Sequence, residues 1–531
     1  MTDSSENRGG SAESGIRVWM ELRPALDGFY GIPQETRLLF SALAGLKSVK
    51  LAGLLQMSLR PLRGGIYGRK TPSPAVMVDK SSRVVVSLKG KDTIDWKDKV
   101  VTRVGAAIGG VLLRCRAWLG LGSVQAGTFE AERFADYLWQ DLFGRTLPVA
   151  EKSRVMALKR YYVCAVPWRL MHMVGIDSAR FLGRSRYPRL QTTPADVMIA
   201  QTPYPARVSA ETKLVIHYHD AIPVLMPHTI SDRAFHQASH YHALADNVRG
   251  GAYFVCVSEA TKADLLGLFP EAAARAVTIH NMLPAHYFPT EPQPARIPGL
   301  VRRYSHSVFT GRAKASAPKE WTLSRTFGTE EERAAFLQNS LGPGSRFLLM
   351  VSTIEPRKNH ARLLAAWEAL HSQDPGLKLI LVGHIGWDYA QALDAMVPWI
   401  EEGSLFLLQN VPSESLRLLF RQAIVTICPS TGEGFDFSGV EAMRCGGVVA
   451  ASDIPVHREI YAQATAYFDP YDTDSLVETL RMLIYGEAAE ARCEALRASG
   501  IEHSEQYLPE RILPQWEAFL RRITHNPPGN Q

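Results

Sequence analysis

The strongest chemical signal in the chain is a pair of glutamates on one short loop. Residues 431–446 read TGEGFDFSGVEAMRCG, in which seven residues separate Glu433 from Glu441, Gly434 and Gly439 among them. A carboxylate accepts hydrogen bonds without donating, and its two oxygens can take two hydroxyl groups at once, so the pair suits a polyhydroxylated ligand. The stretch follows the apolar run 424–428 (IVTIC) and leads into a helical pattern. A strand–loop–helix turn aims backbone N–H groups and the positive end of a helix at whatever sits above it, which favours a phosphate. The amides of Gly434, Phe435, Asp436 and Phe437 are candidates for that contact. Glu441 has a second reading, because Ser438-Gly439-Val440-Glu441 also fits a capping box. That reading explains neither Glu433 nor the glycines.

A basic pair, Arg357-Lys358, lies in residues 351–360 (VSTIEPRKNH), directly after the apolar run 347–352 and before a helix with Asn359 as its expected cap. Two cations there can neutralise a phosphate, each charge-assisted bond contributing about 1.5–3 kcal/mol. Charge that develops in a transition state can gain about 2.7–4 kcal/mol per donor. Two adjacent basic residues are otherwise an ordinary solvated helix start. His219-Asp220 ends the run 214–219 (LVIHYH), and alternation sets His217 on the same side as His219. A lone strand-end histidine is commonly a packing residue, and the adjoining aspartate is what marks this one. Ser258-Glu259 reads as a helix cap. Gly31, in the loop 27–33 (DGFYGIP), permits close backbone approach.

These residues need elements that hold them at one edge. Residues 347–352, 377–383, 405–409, 424–428 and 447–451 are short apolar runs without polar alternation, as a parallel sheet buried on both faces requires. Helical patterns separate them at 359–370, 414–420 and 439–444. Alternation of this kind predicts an α/β fold with a doubly wound sheet. The front repeats the plan: strand 17–22, a loop at 23–32, a helix at 34–43 with Pro33 at its first position, strands 214–219 and 253–258, and a helix at 261–268. Residues 63–195 are poorly patterned and read as an insertion, and 296–329 read as a connector. With 531 residues the chain exceeds one ordinary core.

The spacing of Glu433 and Glu441 resembles the glutamate-x7-glutamate motif of glycosyltransferase family 4, the retaining enzymes of the GT-B fold, and members of mannosyltransferase type in surface-polysaccharide synthesis are the most similar in wording. The resemblance implies two Rossmann-like, doubly wound domains facing across a cleft. It places residues 1–15 as a disordered start and 16–310 as an acceptor domain with the insertion around 63–195. Residues 311–506 become a nucleotide-sugar-binding domain, and 507–531 a helix crossing between domains with a short tail. It implies that Glu433 contacts donor-sugar hydroxyls, Glu441 the nucleotide ribose, Arg357 and Lys358 the diphosphate, and His219 the sugar. Gly31 falls near the phosphates and Val411, within 410–412, near the base. Asp436, Phe437 and Ser438 stand where many members carry Gly, Leu and Pro, and Ser352 where many carry arginine.

The implied reaction is transfer of a hexose, mannose favoured, from a nucleotide diphosphate sugar such as GDP-mannose to a saccharide or lipid-linked saccharide, with no cofactor and no metal. Two alternatives stay open: a nucleotide-sugar hydrolase, epimerase or phosphorylase of the same fold, and a non-catalytic saccharide-binding scaffold. Bulk properties agree. Net charge is +6 with 21% charged and 46% hydrophobic residues, too mild and too dispersed a basicity for a nucleic-acid binder. Six scattered cysteines without a CxxC pair suggest a reducing compartment. The start lacks an apolar targeting core, and the stretch 104–122 is interrupted by Arg114 and Arg116. The expected location is cytoplasmic, with peripheral contact of that stretch on the inner membrane as an option beside ordinary packing.

Overall fold

The computed structural model describes residues 15–28, 31–68, 72–89, 109–121, 123–305, 308–309, 326–342 and 344–525. The disordered start expected over 1–14, residues 104–108 of the candidate membrane stretch, and the tail beyond 525 lie outside the described residues. Two compact units emerge. One comprises the described residues up to His217, with 242–253 and those from Leu513 on; the other comprises 218–241 and 254–512.

The first unit is built on β1 (Ile16–Glu21), β2 (Val49–Leu55), β3 (Ser123–Glu130), β4 (Arg160–Cys164), β5 (Arg189–Gln191), β6 (Val197–Ala200) and β7 (Lys213–Tyr218), in the spatial order β5-β3-β4-β2-β1-β6-β7. β1 pairs in parallel with β2 (Ile16 opposite Val49) and with β6 (Val18 opposite Val197). The stretch read as a poorly patterned insertion contributes β3, β4 and β5 to this sheet from its described residues. β4 continues it in parallel from β2, and β3 then runs antiparallel to β4. The loop expected over 23–32 contains a short helix, Arg23–Asp27, and Pro33 sits second in the helix Ile32–Ala44.

The second unit carries β8 (Tyr253–Cys256) beside β9 (Ala276–Thr278), and a two-residue pair, β10 (Val308–Phe309) and β11 (Thr326–Phe327). Its main sheet is parallel throughout, formed by β12 (Phe347–Val351), β13 (Lys378–Val382), β14 (Leu405–Leu408), β15 (Val425–Cys428), β16 (Val449–Ser452) and β17 (Ala466–Phe468), in the order β14-β13-β12-β15-β16-β17. Side chains alternate across a strand, so each strand feeds two cores. Phe347, Leu349, Ile380 and Val382 enter one, whereas Leu348, Met350, Leu379 and Leu381 enter the other. Helices cover both faces, which is why the strands read as unbroken apolar runs.

Counted within that sheet, the strand order is 3-2-1-4-5-6. From β12 the chain crosses toward β13, and from β15 it crosses the opposite way, toward β16. The order reverses between β12 and β15, and in open parallel sheets it is outside the carboxyl ends of the strands at such a reversal that ligands bind. The fold therefore delivers residues 352–360 and 429–438 to one place.

Candidate functional site

At that switch point Glu433 sits between the two predicted cations. Arg357 donates to one of its oxygens at 2.8 Å and Lys358 to the other at 2.5 Å. Arg357 also reaches the Gly432 carbonyl at 3.1 Å and pairs with Glu355 at 2.8 Å. The Thr431 amide donates to the Arg357 carbonyl at 2.9 Å, stapling the β12 loop to the β15 loop. Burial alone would push the Glu433 carboxyl up; Arg357 and Lys358 outweigh it and hold the group below the usual carboxylate range. The Arg357 guanidinium is correspondingly raised. Burial opposes its charge, but Glu433, Glu355 and Asp220 together prevail. Each Glu433 oxygen spends one lone pair on a cation and keeps another for a hydroxyl donor.

Asn359 does not cap the following helix as expected. It stands in the left-handed region at φ 61°, and its amide donates to the carbonyls of Pro429 and Pro470 at 3.1 and 2.9 Å. Its work is to tie loops together behind Lys358. The alternative reading of Ser438–Glu441 as a capping box does not hold either. The helix is Phe437–Arg444, and its cap is Asp436, at φ 55°, whose carboxylate accepts from the Ser438 amide. Glu441 therefore lies past the first turn and is buried, at 5% exposure. Asp436 further accepts from the Ser438 hydroxyl at 2.7 Å and faces His457 at 3.2 Å. Burial works against its charge, yet the His457 hydrogen bond and Lys358 hold its carboxyl far below the usual range.

His219 and Asp220 belong to the same unit, just past β7. A Cβ placed on Gly434 would fall well inside van der Waals contact with the His219 carbonyl oxygen, so glycine is what lets the two loops touch. Burial lowers the His219 imidazole to about 3, leaving it neutral at ordinary pH. Burial likewise raises the Asp220 and Glu355 carboxyls, against the pull of Arg357 and Lys358. The Asp220 carboxylate accepts from the Ile222 amide at 3.0 Å. Ser258 caps the helix Glu259–Leu268 as expected, its hydroxyl accepting from the Thr261 amide. Thr261 in turn donates to the Gly434 carbonyl at 3.4 Å.

The remaining expected residues divide. Phe435 is buried against Phe437 and Tyr507, and Val411 is buried after β14, beside Asn410 at φ 55°. Gly31 belongs to the first unit, where it opens the helix Ile32–Ala44 at φ 68°. Three contributors escaped the sequence reading. Glu355 pairs with Arg357, and His457, after β16, pairs with Asp436. The Tyr461 hydroxyl donates to the Asp436 carbonyl at 3.2 Å. The signal available for His457 was its place in the first turn of the helix Pro455–Tyr461, which follows β16 at the same edge as the recognised loops.

Residues 332–500 match the family model of glycosyl transferases group 1. The matched group 1 segment contains Arg357, Lys358, Val411, Glu433 and Glu441, whereas His219 and Gly31 lie before it. Over 169 residues the chain is 33% identical to the serotype-specific mannosyltransferase WbdA of Escherichia coli, covering 31% of this chain and 20% of the relative. It is 24% identical over 239 residues to the O-antigen chain mannosyltransferase RfbU of Salmonella typhimurium, covering 43% of this chain and 63% of that protein. The chain thus spans about a fifth of WbdA and under two thirds of RfbU. Among solved structures, Anabaena HepE in complex with UDP and glucose superposes with a TM-score of 0.53 at 14% identity, over 95% of this chain and 99% of that one. That likeness shows the fold: α/β, with two Rossmann-like parallel-sheet halves of the GT-B kind.

Proposed function

We propose that the chain is a retaining glycosyltransferase that moves mannose from GDP-mannose to a saccharide or lipid-linked saccharide acceptor in surface-polysaccharide synthesis, at the cytoplasmic face of the membrane and without a metal. The observation that carries this reading is the Arg357–Glu433–Lys358 arrangement at the strand-order reversal of a segment matching glycosyl transferases group 1. The mannosyltransferase names of WbdA and RfbU support mannose, and the UDP and glucose held by HepE support a nucleotide-sugar ligand.

In this account the donor diphosphate lies over the start of the helix Phe437–Arg444 and exchanges part of Glu433's hold on Arg357 and Lys358 for its own. The freed carboxylate capacity binds hydroxyls of the sugar. Glu441 takes the ribose, and the backbone at Val411 the base. As the bond from the sugar's anomeric carbon to the phosphate oxygen breaks, negative charge gathers on that oxygen, next to the two cations. The acceptor hydroxyl forms its bond to the anomeric carbon from the same face and passes its proton to the departing phosphate oxygen. Configuration is kept and no protein base is consumed. His219, neutral, orients the sugar as a hydrogen-bonding group rather than as a charge.

The test is transfer of labelled mannose from GDP-mannose to lipid-linked saccharide by the purified chain. Glu433→Ala and Lys358→Ala are each expected to lower kcat/KM by about 10²–10³, the scale for removing one preorganised charge-stabilising group. Near-normal transfer by both variants would end the proposal. Release of free mannose in equal yield with and without acceptor would favour a hydrolase.

A further inference from the structure

In the first unit, two cavities share a wall. One, of about 550 Å³, is lined by Arg116, Arg184, Arg186, Arg189, Arg207 and Arg249. The other, of about 870 Å³, is apolar, with Leu59, Leu112, Leu113, Leu121, Leu170 and Met173 on its walls. Arg116, Ala117, Ser123 and Pro188 border both.

Six guanidinium groups around one cavity repel each other unless an anion joins them. Asp246 pairs with Arg207 at 3.0 Å and Arg249 at 3.5 Å, and can offset one charge. Arg186 is spent on the Trp118 carbonyl and Arg249 also on the Ser185 hydroxyl. Arg116, Arg184 and Arg189 are exposed, and their guanidinium groups have no hydrogen-bond or ion-pair partner among the described residues. A planar guanidinium fork matches phosphate oxygens two at a time, and several forks converging on one cavity make a phosphate site. Beside it, the helical residues 109–118 and the turn after them leave Val111, Leu112, Leu119 and Leu121 at 57–70% exposure, with Phe181 at 68% close in sequence to Arg184. Apolar surface gathered next to unpaired charge calls for a ligand with both characters.

We propose that this double cavity binds a phosphate-bearing lipid, the headgroup in the arginine cavity and the chain in the apolar one. The charge complementarity selects the phosphate, and the shared wall joins head to chain in a single molecule. The site stands apart from the nucleotide-sugar reading, since it lies wholly in the first unit and needs no donor.

The experiment is co-sedimentation of the full chain with vesicles of phosphatidylcholine, alone or with phosphatidylglycerol added. Binding is expected only with the anionic lipid. Each basic residue at such a surface contributes about fivefold, so Arg184→Ser with Arg189→Ser should weaken binding by about 30-fold. Leu112→Ser with Leu121→Ser should weaken it as well. All four residues are exposed, and unchanged melting temperatures of the variants keep the comparison fair. Equal sedimentation with both vesicles, or wild-type binding by the arginine variant, overturns the proposal. So does full displacement by glycerol 3-phosphate together with wild-type vesicle binding by the leucine variant, which would make the site one for free phosphate. Because the readout involves no sugar transfer, an inactive enzyme leaves this result intact.

Discussion

Gly434→Ala is the smallest change that tests how the site is assembled. The glycine needs no special backbone conformation, since its φ lies outside the left-handed region, so alanine meets only a steric barrier. That barrier is the His219 carbonyl oxygen, a backbone atom at the end of β7 that cannot rotate away. The loop bearing Glu433 or the loop bearing His219 has to yield by roughly 1 Å, and displacement on that scale costs about 100-fold in rate. That equals about 2.7 kcal/mol of transition-state stabilisation. Gly432→Ala is the control two residues away. Its added carbon meets the Met226 sulfur at 2.6 Å, the far end of a flexible side chain that can move aside. The assay is kcat/KM for transfer by both variants, with melting temperatures recorded alongside. The expected result is a loss of about 100-fold for Gly434→Ala and under threefold for Gly432→Ala. Equal, mild effects from both would refute the packing of Gly434 on His219.

Acid should weaken the protein through its buried imidazoles. His219 and His360 are each lowered to about 3 by burial, against an unfolded value of 6.5. Their contribution is full above 6.5 and declines as pH falls from there toward 3, by about 1.4 kcal/mol per unit for each. Urea midpoints at pH 7 and pH 5 should show this, and His360→Gln should flatten the slope. Asp436→Ala removes a helix cap and sets a non-glycine, non-Asx residue at positive φ, so a loss of about 2–3 kcal/mol is expected by denaturant unfolding. Glu459 accepts from the amides of Glu259 and Ala260 and pairs with His280. Glu459→Ala should cost about 1–3 kcal/mol by leaving those donors unpaired, read as a drop in melting temperature.

The second unit's main sheet was legible because a sheet covered on both faces demands uninterrupted apolar strands, and β12 to β16 supply them. β2 escaped notice because Lys50 and Gly53 break its pattern, and β3 because it alternates exposed and covered residues near the sheet's edge. Arg357, Lys358 and Glu433 were found because their loops follow recognisable strands. His457 was not, because parallel topology brings it to Asp436 from the helix that follows one strand further on. The missed cap at Asn359 and the failure of the capping-box alternative at Ser438 share a cause. Both loops turn through a residue at positive φ, Asn359 in one and Asp436 in the other, which shifts the helix start and hands the cap to a neighbour or to none. Side-chain chemistry was visible in the sequence; the backbone turn that aims it was not.

The most direct measurement of the central claim is a crystal structure of the full chain with GDP-mannose or GDP. Diphosphate oxygens are expected within about 3 Å of Lys358 Nζ and the Arg357 guanidinium, the hydrogen-bond range for charged groups. Glu433 is also expected to give up part of its present contacts to the sugar. A nucleotide bound away from the carboxyl ends of β12 and β15, with the Arg357–Glu433–Lys358 arrangement undisturbed, would contradict that claim.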